Sequence, residues 1–175
     1  MSKRRTKRPG VTASLPKRRV LRGLNANDRS SSKPIGSIIP YGELDPTTFV
    51  RTLVLQGHPE VPDGAYDIVD AYCTDPGCDC RVAYLYIMPP SHADQALAYI
   101  NVGWEPLSFY RQWGPWMDDS DAVQLKGPSL MAMMPQSALA PAWLEIVRRG
   151  LNDPEYLNFF KTRYFQFKAL LDHRG

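Results

Sequence analysis

The sequence predicts an α+β fold: a small antiparallel sheet of three or so strands, built around a cysteine-bearing hairpin and packed against several helices, behind a disordered basic leader. Three observations predict it. Residues 66–73 and 80–88 alternate like strands around Thr74-Asp75-Pro76-Gly77, where Pro presets φ and Gly supplies φ > 0. Two later segments carry a proline in the first turn and then apolar residues at helical spacing. Residues 1–35 are strongly basic and poor in large apolar side chains, so they cannot bury enough surface to fold alone.

Taken in order, Asp45-Pro46 reads as an N-cap followed by Pro at the first helical position. Phe49, Val50, Leu53 and Val54 recur at helical spacing, which predicts a helix over 46–56 closed by Gly57 and Pro59. A Pro-, Gly- and acid-rich loop, 57–65, precedes the hairpin. A turn around Pro89-Pro90-Ser91 leads to a third strand at 96–103, for which a helix is the alternative because the stretch is Ala-rich. A short helix is expected at 106–113. Asp118-Asp119-Ser120-Asp121 lacks the spacing and terminal Glu of an EF-hand and reads as a solvated loop. Ser137 caps a helix over 138–149 that Gly150 ends. Asp153-Pro154 opens another over 154–172, with Tyr156, Leu157, Phe160, Tyr164, Phe167, Leu170 and Leu171 on its packed side. The four tryptophans, 104, 113, 116 and 143, are expected in the core; an aromatic ligand pocket near Trp104, Tyr110 and Trp113 is the alternative.

The chain's only cysteines, Cys73, Cys78 and Cys80, fall within eight residues. A four-residue hairpin loop pairs Cys73 with Cys78 on one face. Cys80 lies two residues further, opposite Ala71, and faces the same way. Three thiolates converging on one point predict one structural Zn²⁺ per chain, at Zn–S distances of about 2.3 Å. The fourth ligand is open, with water, a partner chain or a substrate as the candidates beyond this chain's own side chains. His92 lies beyond the far end of the second strand, roughly 25 Å away at ~3.3 Å per residue. His58 precedes the first strand, and His173 is near the C-terminus. Asp75 and Asp79 are near in sequence. The competing readings are a Cys73–Cys78 disulfide, ordinary core cysteines and a redox-reactive thiol cluster. The odd cysteine count and the lack of an apolar signal segment argue against a secreted disulfide scaffold.

The net charge of +3 conceals a partition. Residues 1–35 hold 11 of the 21 basic residues and one acid, Asp28, for a charge of +10; residues 36–175, read as a single domain, carry −7. Two basic clusters, Lys3, Arg4, Arg5, Lys7, Arg8 and Lys17, Arg18, Arg19, Arg22, suit the phosphates of a nucleic acid or a ribonucleoprotein. A solubilising leader that folds back on the acidic body competes with this reading, and a localisation signal is a third. No aromatic residue precedes Tyr41, so base stacking by the leader is not expected. No stretch approaches the ~18 apolar residues of a membrane span, and a cytoplasmic protein is expected. His-x-Glu with Pro-Cys-x-x-Cys, His-Glu-x-x-His, phosphate-binding Gly loops and nucleophile elbows do not occur. The expected role is therefore non-catalytic. A metal-dependent enzyme with an open Cys₃ site, using Asp75 or Asp79 as acid–base group, and a protein-interaction or regulatory subunit are the alternatives.

Tyr72-Cys73-x-Asp75-Pro76-x-Cys78-Asp79-Cys80-Arg81, Ile100-Asn101-x-Gly103-Trp104-Glu105 with Phe109-Tyr110-x-x-Trp113, and Gln136-Ser137 with Asp153-Pro154-x-Tyr156 together resemble a set of small bacterial proteins of uncharacterised function. The resemblance spans 66–172. It implies that the cysteine knuckle is a family feature and that the setting is bacterial and intracellular; it implies no activity.

Overall fold

The computed structural model describes residues 37–75, 77–91, 95–112 and 118–173. The basic clusters of residues 3–22, together with Pro76, His92, Trp113 and Trp116, lie outside the described residues. In chain order the elements are β1 (Ile38–Pro40), α1 (Tyr41–Leu44), β2 (Arg51–Leu55), β3 (Gly64–Cys73), β4 (Val82–Met88), β5 (Ala98–Gly103), α2 (Leu107–Tyr110), α3 (Asp119–Lys126), β6 (Ser129–Leu130), α4 (Ala140–Gly150) and α5 (Pro154–Asp172). The class is α+β, as expected. The sheet has six antiparallel strands rather than three or so, in the order β1-β3-β4-β5-β6, with β2 also on β3. β1 and β2 lie end to end along one edge of β3: Ile38 pairs with Cys73 and Leu55 with Gly64.

The helix expected at 46–56 is instead a turn and strand β2. Asp45 Oδ1 accepts hydrogen bonds from Thr47 N (3.0 Å) and Thr47 Oγ1 (2.6 Å), and Thr48 N donates to Asp45 O (3.1 Å), so the apparent N-cap closes a turn. The residues that follow, Thr47, Thr48, Val50, Thr52 and Val54, are β-branched and suit a pleated edge. The open edge of β3 supplies the partner, and Thr52 Oγ1 donates to Asp67 Oδ1 across the pair (2.6 Å).

Along β3, Tyr66, Ile68, Asp70 and Tyr72 share one face. That face receives α4 and α5. Trp143 is fully buried against Tyr66 at 4.7 Å between rings, and Tyr72 meets Phe167 at 5.3 Å. Helix α5 begins at Pro154, capped by Asp153, which accepts from Glu155 N at 2.9 Å. Ser137 Oγ likewise accepts from Leu139 N just ahead of α4. The opposite face carries Ala71, Tyr84, Asn101 and Gly103, where α2 and α3 press in. A Cβ on Gly103 would stand 2.6 Å from Leu125 O and closer still to the Tyr110 hydroxyl, so only glycine permits this approach. β5 is buried at every residue because both its faces are covered.

The short helix expected at 106–113 is the single turn α2. The acidic run 118–121 is not a solvated loop: it opens α3 as a capping box, in which Asp118 accepts from Ser120 N and Asp121 N and the Asp121 carboxylate accepts from Asp118 N. Its carboxylates serve the helix N-terminus, and Asp119 pairs with Arg111 at 3.0 Å. Trp104 is partly buried, edge-on to Tyr164 at 5.3 Å. Tyr110 is fully buried, and its hydroxyl donates to Arg81 O (3.1 Å) and accepts from Glu105 N (3.2 Å). It braces a loop. Among the described residues no helix is long and apolar enough to cross a membrane.

Candidate metal centre

β3 ends at Cys73 and β4 begins at Val82, so the cysteines are joined by the loop 74–81 and not by a four-residue turn. The register shows why. Ala71 pairs with Tyr84, not with Cys80, a shift of four residues from the expected hairpin. A large ring opposite a small residue packs well at that position. The loop residues spend their hydrogen bonds elsewhere. Asp75 Oδ1 accepts from Gly77 N (2.9 Å), Cys78 N donates to Asp75 O (3.1 Å), and Lys168 Nζ of α5 donates to the same carbonyl (2.6 Å). On the other edge, Thr74 N and Oγ1 both donate to Ser37 O.

Arg81 closes the loop with φ +49, the left-handed region that costs a non-glycine residue of order 1 kcal/mol or more. Its guanidinium offsets this by donating to both oxygens of Asp79 (Nη2–Oδ2 2.8 Å) and to Glu105 Oε1 (3.1 Å), and it lies 4.9 Å from the centre of the Phe109 ring. The loop is thereby wrapped back over itself, and the three cysteines meet without being ladder partners.

The Sγ atoms of Cys73, Cys78 and Cys80 all lie within 4.8 Å of one another. Cys73 and Cys80 are buried and Cys78 is half-buried; all three are free thiols, without a disulfide. A tetrahedral zinc with Zn–S bonds of about 2.3 Å holds its sulfurs about 3.8 Å apart. Closing this group around a metal therefore takes movements of at most about 1 Å.

The electrostatics of the cluster point the same way. The Cys78 thiol, and then the Cys80 thiol, hydrogen-bond to Cys73 and hold its pKa far below the ordinary thiol range. The same contact with Cys73 raises Cys78 and Cys80. Like charges this close oppose one another, so ionising one thiol disfavours ionising the others. Three thiolates so close require a cation among them, and a soft one suits sulfur. Around the group, burial first and then the sulfurs' charge raise the pKa of Tyr84; burial, then Cys80, does the same for Tyr164. Tyr164 also approaches the loop through its hydroxyl, 3.4 Å from Cys78 O and 3.3 Å from Asp79 Oδ1. Lys168 is near enough to stabilise the Cys73 thiolate.

Among the described residues no histidine or carboxylate joins the three sulfurs. His58 Nδ1 accepts from Glu60 N and Val61 N in the loop ahead of β3, at the strand end away from Cys73. Asp79 is engaged by Arg81 and Tyr164, and Asp75 by Gly77 N. Cys78 borders a surface depression of about 190 Å³, lined also by Gly77, Asp79, Tyr164, Phe165, Lys168 and Asp172.

A second polar centre went unread in the sequence. Arg163 of α5 is buried and grips Asp70 of β3 with two hydrogen bonds, Nε–Oδ2 at 2.6 Å and Nη2–Oδ1 at 3.0 Å. Its Nη1 donates to Thr48 Oγ1 (2.7 Å), and the guanidinium sits 4.1 Å from the centre of the Tyr41 ring. The available signals were a carboxylate amid apolar strand residues and an arginine on the apolar stripe of a helix.

Compared with known protein families, with curated proteins and with solved structures, the chain matches none of them.

Proposed function

We propose that the protein is a non-catalytic module stabilised by one zinc ion, which docks on nucleic acid or a ribonucleoprotein through residues 1–35 in the cytoplasm. The observation that carries the metal half is the approach of the three sulfurs to within 4.8 Å at a loop anchored to α5. A structural role is favoured because the nearby carboxylates are occupied: Asp79 by Arg81, Asp75 by a backbone amide. Neither is placed as the free acid–base group that catalysis at the metal would need. The nucleic-acid half rests on charge. A +10 segment precedes a −7 body, and the body alone repels a polyanion.

The experiment is native mass spectrometry with metal analysis on protein purified with and without nuclease, followed by duplex binding of the full chain and of a chain lacking 1–35. One zinc per chain is expected. Binding should weaken with salt by a slope of about −0.9 per phosphate contacted, and should vanish on truncation. Metal-free protein with three alkylatable thiols overturns the first half. A truncated chain that binds as well as the full one overturns the second.

A further inference from the structure

Resting on the metal reading above, we propose that the fourth donor to the Cys73–Cys78–Cys80 metal is a thiolate from outside this chain, entering through the depression beside Cys78. The donor set argues first. A d¹⁰ ion of zinc's kind takes four ligands in a structural site, and the described chain brings it three sulfurs and no carboxylate or imidazole. Direction comes next. Cys73 and Cys80 are buried, while Cys78 borders both the cluster and the depression, so the approach from solvent runs past Cys78.

Chemistry then selects the ligand. Three thiolates make the ion a soft centre, which prefers a fourth sulfur over a carboxylate or phosphate oxygen. Four thiolates on a divalent ion leave two negative charges in excess. The wall of the depression answers with the Lys168 ammonium and the Tyr164 hydroxyl. Asp79, on the same wall, is paired by the Arg81 fork, which Glu105 shares, and Asp172 is the other carboxylate of the lining. Exposed Phe165 flanks the entrance and offers apolar surface to the carbon stem of a thiol or to a peptide carrying one. This chain has three cysteines, all of them in the cluster, so the fourth sulfur belongs to a small thiol or to a cysteine of another protein.

The test uses the full chain loaded with Co²⁺, whose visible d–d bands and sulfur-to-metal charge transfer report the ligand set. 2-Mercaptoethanol and a blocked Gly-Cys-Gly peptide are titrated separately, and sulfur neighbours are counted by X-ray absorption. The count should rise from three to four as the bands intensify. A preference for the peptide identifies a protein cysteine as the source, and equal affinity identifies a small thiol. Lys168→Met, compared at cobalt saturation, should raise the thiol concentration required by about fivefold, the effect of one screened charge pair. A sulfur count that stays at three in excess thiol overturns the proposal and leaves the metal site standing. Failure to bind cobalt with thiolate charge transfer overturns both.

Discussion

Helix α5 is tied to the β3–β4 hairpin at two places, Asp70 on β3 and the loop that follows Cys73, and the two are completed in different ways. At Asp70 the chain supplies everything. Arg163 meets both carboxylate oxygens, Thr48 takes a third guanidinium proton, and the Tyr41 ring covers the cation. At Cys73 the chain supplies the ligands alone. Cys78 and Cys80 arrive from the loop, and Tyr164 and Lys168 from α5, but mutual repulsion opposes ionising all three thiols together. The first place is balanced within the fold. The second has no such balance within the fold; on the zinc reading proposed above a cation from solution completes it, and the stability of that end then depends on conditions while that of the other does not.

The comparison is broken most directly at the internal pair. Arg163→Met leaves Asp70 buried and uncompensated, and should cost about 3–5 kcal/mol in urea unfolding. Adding Asp70→Leu should recover much of that loss, because the penalty arises from an orphaned charge rather than from the missing attraction. A single variant as stable as the parent would show that the pair is hydrated.

Next in size is the metal. At free zinc a hundred times its Kd, binding adds about 2.7 kcal/mol, so chelation should lower the melting temperature by several degrees. Cys80→Ser should reproduce the chelated state and make it insensitive to chelator. Arg163→Met should keep its response to zinc, since the two places are balanced separately; loss of that response would mean they act as one unit.

The third prediction separates both places from the aromatic packing. Burial first, and then Tyr99, pushes Tyr86 up to about 12; burial, opposed by Arg51, pushes Tyr156 to about 12. A raised tyrosine pKa favours the fold below the unfolded value, near 10, and that contribution is lost as pH rises toward 12. Zinc-loaded protein should therefore lose stability between about pH 10 and 12, by ~1–2 kcal/mol per ring after discounting for solvent screening. Loss that begins below pH 9 would assign it to thiols and not to tyrosines. The smallest effect is expected at the start of α5. Asp153→Ala removes its cap and should cost about 1 kcal/mol in thermal unfolding, with zinc affinity unchanged.

Much of the fold was legible in the sequence because its signals are local. Asp153-Pro154 and the stripe from Phe160 to Phe167 specified α5 over 154–172, and alternation specified β4, while β5 reads as a strand with a helix as the alternative, since caps and periodicity act within a few residues. The cysteines' gathering was legible too, because Asp75-Pro76-Gly77 marks a chain reversal between Cys73 and Cys78. What tertiary structure alone decided was everything that depends on a distant partner. Residues 51–55 became a strand because the edge of β3 was open, against the local helical spacing of Phe49, Val50, Leu53 and Val54. The hairpin register slipped by four because Tyr84 fits opposite Ala71, while Lys168, Tyr110 and Glu105 took up the loop's hydrogen-bonding groups. Asp70 and Arg163, 93 residues apart, became partners only when helix and strand closed over them. Propensity and spacing are sums over neighbours in sequence, whereas register, edge pairing and buried charge are settled by neighbours in space.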